Sequence, residues 1–190
     1  MPNPSNWQQK KLLYRVLAHK DASAFAELYD QFAPRIYRFV LFKVNKKEEA
    51  EDIVSDVFLR TWQYLTKDSV ARVKSFSGLV YQIARNAIID FYRAKATREK
   101  SISEIDETGL ETLSSDKPNI TDLLDQKIAS DRLLSHIYKL KQEYQEIILL
   151  RFIEELPIAD IAVIVKKNST AVRVTVHRAM KVLKKMVEIK

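Results

Sequence analysis

The stretch "IADIAVIVKKNSTAVRVTVHRAMKVL", from Ile158 to Leu183, decides the fold of the C-terminal part of this chain. Apolar residues recur at helical spacing as far as Val165, and the polar residues Lys166–Asn168 then interrupt the pattern. Asn168 is a favourable N-cap for a second helix. Because two helices joined by so short a turn form a helix-turn-helix, the pattern predicts a bracing helix followed by a second, longer helix.

The second helix has an apolar face and a basic face. Five residues at steps of four and three form its predicted buried stripe: Val172, Val176, Ala179, Leu183 and Met186. Six polar or basic residues lie elsewhere on the helix: Ser169, Thr170, Arg173, His177, Arg178 and Lys181. The second helix of a helix-turn-helix enters the major groove of DNA, so we expect this face to bind DNA. Periodicity alone leaves open a plain helical hairpin with a solvated basic face.

The composition predicts an all-α fold. The chain has 190 residues, of which 46% are hydrophobic and only two are glycine, and its apolar patterns are long and helical. It contains no cysteine, which excludes disulfides and cysteine-based zinc sites and suits a reducing cytosol. The N-terminus lacks the uninterrupted apolar run of a signal peptide, and no apolar run is long enough to cross a membrane. We therefore expect a cytoplasmic protein with no membrane insertion.

The net charge of +7 is unevenly distributed. Residues 1–97 carry 16 Lys and Arg against 10 Asp and Glu, and residues 127–190 carry 13 against 7. Residues 98–126 carry 3 against 8 and are rich in Ser and Thr, as is typical of a flexible linker. The sequence thus predicts two small helical domains, 1–97 and 127–190, joined by an acidic linker, 98–126. Basic blocks favour a polyanionic partner, and the linker could cover a basic DNA-binding face when other partners are absent.

Three apolar stripes organise the N-terminal domain. A first helix over residues 10–21 would turn Leu12, Leu13, Val16 and Leu17 inward, although the sequence leaves open whether residues 1–19 are ordered. The two later stripes are Val54, Val57, Phe58, Thr61 and Leu65, and Phe76, Val80, Ile83, Ala87 and Phe91.

Motifs in both domains resemble those of one protein family. "EIILLRFIEELPIADIAVIV" followed by "STAVRVTVHRAMKVLKK" resembles domain four of the extracytoplasmic-function sigma factors of bacterial RNA polymerase. "EEAEDIVSDVFLRTWQYL" (Glu48–Leu65) and "FSGLVYQIARNAIIDFYRAK" (Phe76–Lys95) resemble domain two of the same family. Two motif sets in the same order are more specific than one. The chain departs from the family at Lys166 and Lys167, where a glycine and an aliphatic residue are usual.

The resemblance implies three sets of binding residues and three partners. Domain two would bind the clamp helices of core RNA polymerase through Asp52, Ser55, Asp56, Leu59 and Trp62. It would bind the minus-ten promoter box through Lys67, Arg72, Lys74, Tyr81, Arg85, Asn86 and Arg93. Domain four would bind the polymerase flap, and the minus-thirty-five box through the six residues Ser169, Thr170, Arg173, His177, Arg178 and Lys181. The family also implies an anti-sigma factor as a partner.

Catalysis finds no support in the sequence. The three histidines, His19, His136 and His177, are far apart, and the two glycines form no phosphate-binding loop. We therefore expect no enzymatic activity, no cofactor and no metal site. Two alternatives to a sigma factor stay open: a free-standing helix-turn-helix regulator, and a helical adaptor that does not recognise DNA.

Overall fold

The computed structural model describes residues 4–44, 46–67, 73–103 and 131–188. Within these ranges the regular elements are helices, which confirms the all-α prediction. They are α1 (Pro4–His19), α2 (Ala22–Val44), α3 (Lys47–Thr66), α4 (Phe76–Ser103), α5 (Asp131–Tyr138), α6 (Gln142–Ile148), α7 (Ile158–Ile164) and α8 (Ser169–Glu188), with a π-helical turn (Leu149–Ile153) after α6.

Helices α1 to α4 form the N-terminal unit. Helix α2 lies at its centre because Leu28, Phe32, Ile36 and Phe39, spaced by four, four and three residues, are all fully buried. Helix α1 is ordered and packs as predicted, with Leu12, Leu13 and Val16 buried and Leu17 half-buried against the core. All five residues of the predicted stripe on α3 are buried, namely Val54, Val57, Phe58, Thr61 and Leu65.

Helix α4 completes this unit and is longer than the sequence suggested. Phe76, Val80 and Ala87 are buried, and Ile83 and Phe91 pack half-buried against the core, as predicted. The helix continues to Ser103, six residues into the predicted linker, because Arg, Glu and Lys favour helix and no proline or glycine interrupts the segment. Residues 104–126 of that linker lie outside the described residues.

Helices α5 to α8 form the C-terminal unit, which contains the predicted helix-turn-helix. Helix α7 buries Ile161, Ala162 and Ile164, and α8 follows it after a short turn. The predicted stripe on α8 is confirmed, because Val172, Ala179 and Leu183 are buried and Val176 and Met186 pack against the core.

The two units pack against each other. Helix α7 contacts α4, and the ring of Phe42 on α2 stacks on Tyr138 at the end of α5, with centroids 4.6 Å apart and an interplanar angle of 9°. Burial raises the pKa of the Tyr138 phenol to about 12. This packing was not predicted from the sequence, and it determines which candidate binding residues are accessible.

Candidate nucleic-acid and polymerase interface

The basic face of α8 is presented to solvent. Asn168 caps the helix, because its side-chain oxygen accepts a hydrogen bond from the backbone N–H of Ala171 at 2.7 Å. The buried stripe fixes the rotation of the helix, so its opposite face points outward. Five of the six candidate DNA-binding residues on α8 are exposed, and Ser169 is half-buried: the exposed ones are Thr170, Arg173, His177, Arg178 and Lys181.

The turn before α8 places a lysine in the left-handed backbone region. Lys166 has a φ of 55°, a conformation that favours glycine. The turn is closed by backbone hydrogen bonds from Lys166 to Val163, at 3.2 Å, and from Lys167 to Ala162, at 2.9 Å. The Lys167 ammonium also pairs with Glu143 on α6. The turn is therefore closed by these bonds with a lysine, and not a glycine, in the left-handed position.

The candidate polymerase-binding residues share one side of α3. Asp52, Ser55 and Leu59 are exposed, and Leu59 is an apolar side chain with 56% of its surface accessible. Asp56 is half-buried and pairs with Arg60 at 2.8 Å. Trp62 is half-buried and packs on Phe25 with ring centroids 5.1 Å apart, so it belongs partly to the core.

The candidate minus-ten residues fall into two groups. Lys67, Lys74 and Arg93 are exposed, and Asn86 is half-buried. Arg72 lies outside the described residues. The remaining two, Tyr81 and Arg85, contact the C-terminal unit.

Tyr81 is covered in this arrangement of the two units, although the sequence pattern predicted that it faces outward. Its side chain is fully buried, and its hydroxyl donates a hydrogen bond to Glu154 Oε2 at 2.5 Å. Burial, and then the negative charge of Glu154, raise the pKa of Tyr81 well above its usual range. The Arg85 guanidinium pairs with Glu146 Oε1 at 2.9 Å and is only partly accessible. Both residues are covered because α7 packs on α4, and because Glu146 on α6 and Glu154 after the π-helical turn bond to residues on this side of the N-terminal unit.

Glu154 is the centre of a charged cluster between the two units. Its carboxylate is fully buried and accepts hydrogen bonds from Arg35 Nε at 3.2 Å and Arg38 Nη2 at 3.5 Å, in addition to Tyr81. Its backbone carbonyl accepts a further hydrogen bond from Arg35. All these donors belong to the N-terminal unit. A buried carboxylate needs such partners because desolvation of an unpaired charge is costly.

Asp160 on α7 makes a second contact between the units. Its Oδ2 accepts a hydrogen bond from the Ser75 hydroxyl at 2.7 Å and another from the Ser77 hydroxyl. Ser75 also accepts the N–H of Gly78 at 3.2 Å and so caps α4. A Cβ added at Gly78 would lie 3.6 Å from the Asp160 carboxyl carbon, which shows how closely α7 approaches the first turn of α4.

Two cavities flank the contact between the units. One, of about 430 Å³, is lined by both signs of charge, including Lys43, Arg85 and Glu146. The pKa of Lys43 is lowered, mainly because its ammonium group is buried. The other, of about 710 Å³, is lined by Arg35, Arg38, Lys74, Arg151 and Glu154 among others.

The described residues contain no group of three or more histidine, aspartate or glutamate side chains that could hold a metal ion. None of the helices in the described ranges is long and apolar enough to cross a membrane.

Sequence reasoning missed the acidic residues at the contact, Glu146, Glu154 and Asp160. The available signal was weak. Asp160 lies among the apolar residues of the α7 stripe, where a solvated acid is not expected, and Glu154 lies between Ile153 and Leu156. Neither position indicates a partner more than 70 residues away in the sequence.

Two family profiles match the chain, in the order of the two units. Sigma-70 region 2 matches residues 28–98, and Sigma-70, region 4 matches residues 130–183. The first match covers most of α2, all of α3 and most of α4, and the second covers most of the C-terminal unit.

Curated relatives share both units. The extracytoplasmic-function RNA polymerase sigma factor SigW of Bacillus subtilis is 30% identical, over 87% of this chain and 89% of SigW. The extracytoplasmic-function RNA polymerase sigma factor BldN of Streptomyces coelicolor is 28% identical, over 87% of this chain. The chain spans 61% of the length of BldN.

Solved structures share the fold. CnrH, in a complex with the cytosolic domain of CnrY, superposes with a TM-score of 0.63 and 19% identity, covering 95% of this chain and 97% of CnrH. RpoE from Bartonella quintana, in a complex with the anti-sigma factor NepR, superposes with a TM-score of 0.61 and 20% identity, covering 87% and 98%.

Proposed function

We propose that the two units of this chain bind the two boxes of a promoter while α3 binds core polymerase. The proposal follows because the chain belongs to the extracytoplasmic-function sigma factors of bacterial RNA polymerase. As an alternative sigma factor it directs transcription initiation. The family is not known for enzymatic activity, and the chain would supply binding energy and position while the polymerase performs nucleotidyl transfer.

The observation that carries this proposal is the exposed basic face of α8 on a capped helix-turn-helix. Arg173, His177 and Arg178 project from the N-terminal and middle turns of the helix, the part that reaches base edges when such a helix lies in the major groove. Arginine forms bidentate hydrogen bonds with guanine, so the two arginines supply sequence discrimination. Thr170 and Lys181, and the half-buried Ser169, would contact neighbouring phosphates or bases.

Polymerase binding is proposed for the exposed face of α3. Asp52, Ser55 and Leu59 form a mixed acidic and apolar surface, and Asp56 and the accessible part of Trp62 extend it. An exposed leucine surrounded by carboxylates is suited to an apolar contact with a charged rim on a partner protein.

The proposed minus-ten surface comprises Lys67, Lys74, Asn86 and Arg93, with Arg72 and, once the units separate, Tyr81 and Arg85. Lysine and arginine there would neutralise phosphates, and an aromatic ring would stack on an unpaired base during melting. An anti-sigma factor is a further proposed partner, as RpoE of Bartonella quintana has one in NepR.

The proposal is tested with holoenzyme assembled from this chain and core RNA polymerase. The holoenzyme is incubated with fragmented genomic DNA of the source organism, and the retained fragments are sequenced. Arg173→Ala with Arg178→Ala is expected to abolish enrichment of specific fragments, because each bidentate contact with a base contributes about 1–3 kcal/mol of discrimination. Polymerase binding, measured by co-elution in size-exclusion chromatography, is expected to persist.

Lys185→Ala, on the last turn of the same helix, is the matched control and should retain fragment enrichment. Enrichment that survives the double arginine substitution would favour a helical adaptor that does not recognise DNA. Specific DNA binding without any co-elution with core polymerase would favour a free-standing regulator.

A further inference from the structure

The cavity of about 430 Å³ beside the contact between the units is lined by residues of both. We propose that it binds a small aliphatic carboxylate, with the carboxylate on Lys43 and the alkyl chain against the apolar residues of the wall. This inference does not depend on the function proposed above, because the ligand is neither promoter DNA nor a polymerase subunit.

The size and the lining of the cavity suit a small molecule with an apolar body. Its volume lies within the range of about 300–1,000 Å³ that is typical of small-molecule sites. The apolar residues of its wall are Phe39 on α2, Ile88 and Ile89 on α4, Ile147 on α6, and Val165 in the turn after α7. Aliphatic side chains predominate among them, so the wall suits a saturated chain.

The charged residues that line the cavity carry one net positive charge. In the described part of the chain they are Lys43, Arg85 and Lys167, against Glu143 and Glu146. Arg85 pairs with Glu146 at 2.9 Å, and Lys167 pairs with Glu143. Each acid therefore has a cation of its own, and the remaining positive charge belongs to Lys43.

Lys43 is a half-buried cation without a carboxylate partner. Its ammonium group lies 5.8 Å from the centre of the Phe42 ring and forms no ion pair with any described residue. Burial lowers the pKa of Lys43, and the nearby charge of Glu146 offsets this effect only in part. A carboxylate bound to this ammonium would replace its lost hydration with a charge-assisted hydrogen bond.

The backbone at Lys43 is fixed beside the apolar wall. The Tyr92 hydroxyl on α4 donates a hydrogen bond to the backbone carbonyl of Lys43 at 2.5 Å. This bond joins the end of α2 to α4, the helix that contributes Ile88 and Ile89. The charged and apolar parts of the site are thus held together without the ligand.

A ligand in this cavity would contact both units. Helices α2 and α4 belong to the N-terminal unit, whereas α6 and the turn after α7 belong to the C-terminal unit. Because a ligand stabilises the state that binds it, occupancy would strengthen the contact between the units. The concentration of a small carboxylate would then regulate how readily the units separate.

Isothermal titration calorimetry of the purified chain tests the chemical class of the ligand. Octanoate, kept below its micelle concentration, is the probe, and 1-octanol and acetate are the matched comparisons. We expect octanoate to bind at least about tenfold more tightly than 1-octanol, because the alcohol cannot form a charged hydrogen bond with Lys43. Acetate should bind more weakly still, since it has no alkyl chain to bury.

Substitution of Lys43 tests the position of the site. Lys43→Met keeps a linear apolar side chain without the charge and is expected to weaken octanoate binding about tenfold or more. Lys43→Arg keeps the charge and should retain binding. Lys47→Met, at an exposed lysine on α3 outside the cavity, is the matched control and should bind octanoate as the unsubstituted chain does. Octanoate should also raise the midpoint of thermal unfolding of the unsubstituted chain more than that of Lys43→Met.

A measurement on the unsubstituted chain decides the position if circular dichroism shows that Lys43→Met loses helix. Acetic anhydride acetylates lysine amines, and mass spectrometry of peptides gives the rate at each lysine. Saturating octanoate is expected to slow acetylation of Lys43 and leave that of Lys47 unchanged.

Three results would overturn the proposal. Absence of octanoate binding would exclude the ligand class, and binding of 1-octanol as tight as that of octanoate would exclude a role for the charge. Octanoate binding that is unchanged in a folded Lys43→Met chain, or acetylation of Lys43 that octanoate does not slow, would exclude this cavity as the site.

Discussion

At the scale of single residues, the turn of the helix-turn-helix contains a strained lysine. Lys166 has a φ of 55°, and a side chain in the left-handed region costs about 1–2 kcal/mol that glycine avoids. Glycine loses more conformational entropy on folding, which offsets part of this difference. We expect Lys166→Gly to raise the free energy of unfolding by about 0.5–1 kcal/mol, as measured by urea denaturation.

Lys166→Ala is the control for this prediction. It removes the ammonium group but keeps the Cβ atom, so it should bring no comparable gain. Equal stabilisation by both substitutions would show that charge, and not backbone conformation, is the cause.

Single residues also show what the sequence could predict about the site. Arg173, His177 and Arg178 were predicted correctly as exposed because the apolar stripe of α8 fixes which face is free. The burial of Tyr81 was not predicted, because the apolar pattern of α4 indicates only how that helix packs within the N-terminal unit. Its burial depends on Glu154, 73 residues later in the chain.

At the scale of single helices, α2 begins at a charged cap. Asp21 Oδ1 accepts hydrogen bonds from the backbone N–H groups of Ser23, at 2.9 Å, and Ala24, at 3.1 Å, and from the Ser23 hydroxyl, at 2.7 Å. The other carboxylate oxygen pairs with Arg15 on α1 at 2.7 Å. Hydrogen bonds from the Ser23 side chain and then the Ala24 backbone lower the pKa of Asp21 well below its ordinary value of 3.8.

This cap predicts a specific pH dependence. Because the folded pKa of Asp21 lies below the unfolded value, its charge stabilises the fold fully above about pH 5 and loses that effect as the pH falls below 3.8. Asp21→Asn keeps a capping oxygen but cannot ionise. The difference in urea midpoint between the two chains should be constant from about pH 7 to pH 5 and should shrink in more acidic buffer. A difference independent of pH would mean that the charge of Asp21 contributes nothing.

Several of the helices were predicted from the sequence, and one element that was not predicted has a physical reason. Helices α3, α4 and α8 were predicted from apolar residues at steps of three and four, and the structure has them. The π-helical turn Leu149–Ile153 was not, because its extra residue shifts the helical phase and the 3.6-residue pattern no longer applies. Glu154 directly follows that turn.

At the scale of the whole molecule, the contact between the two units depends on pairs remote in sequence. Arg35 and Glu154 are 119 positions apart, and the residues that separate the units in sequence give no indication of how they meet. The charge pattern predicted two basic blocks. In the structure, acidic residues of the C-terminal block pair with arginines of the N-terminal block. The docking of the C-terminal helices on the N-terminal ones was therefore not accessible from the sequence.

The polymerase-binding face and the contact between the units should act independently. Helix α3 packs mainly on α2 and α4, so its exposed Leu59 lies away from the Glu154 cluster. Leu59→Ala is expected to weaken binding to core polymerase about tenfold, the loss typical of a central apolar interface residue. The same factor is expected in the Glu154→Gln background, because distant sites without shared partners have additive effects.

Fluorescence titration of labelled core polymerase with the four chains of this double-mutant cycle measures the loss of affinity caused by Leu59→Ala with and without Glu154→Gln. Tyr64→Ala removes another exposed apolar side chain from a different face of α3 and should leave the affinity unchanged. If Leu59→Ala weakens binding only in the Glu154→Gln chain, polymerase engages α3 after the units have separated. Separation of the two units would then precede holoenzyme assembly. The free energy of the contact between the units would set how tightly the free chain binds polymerase.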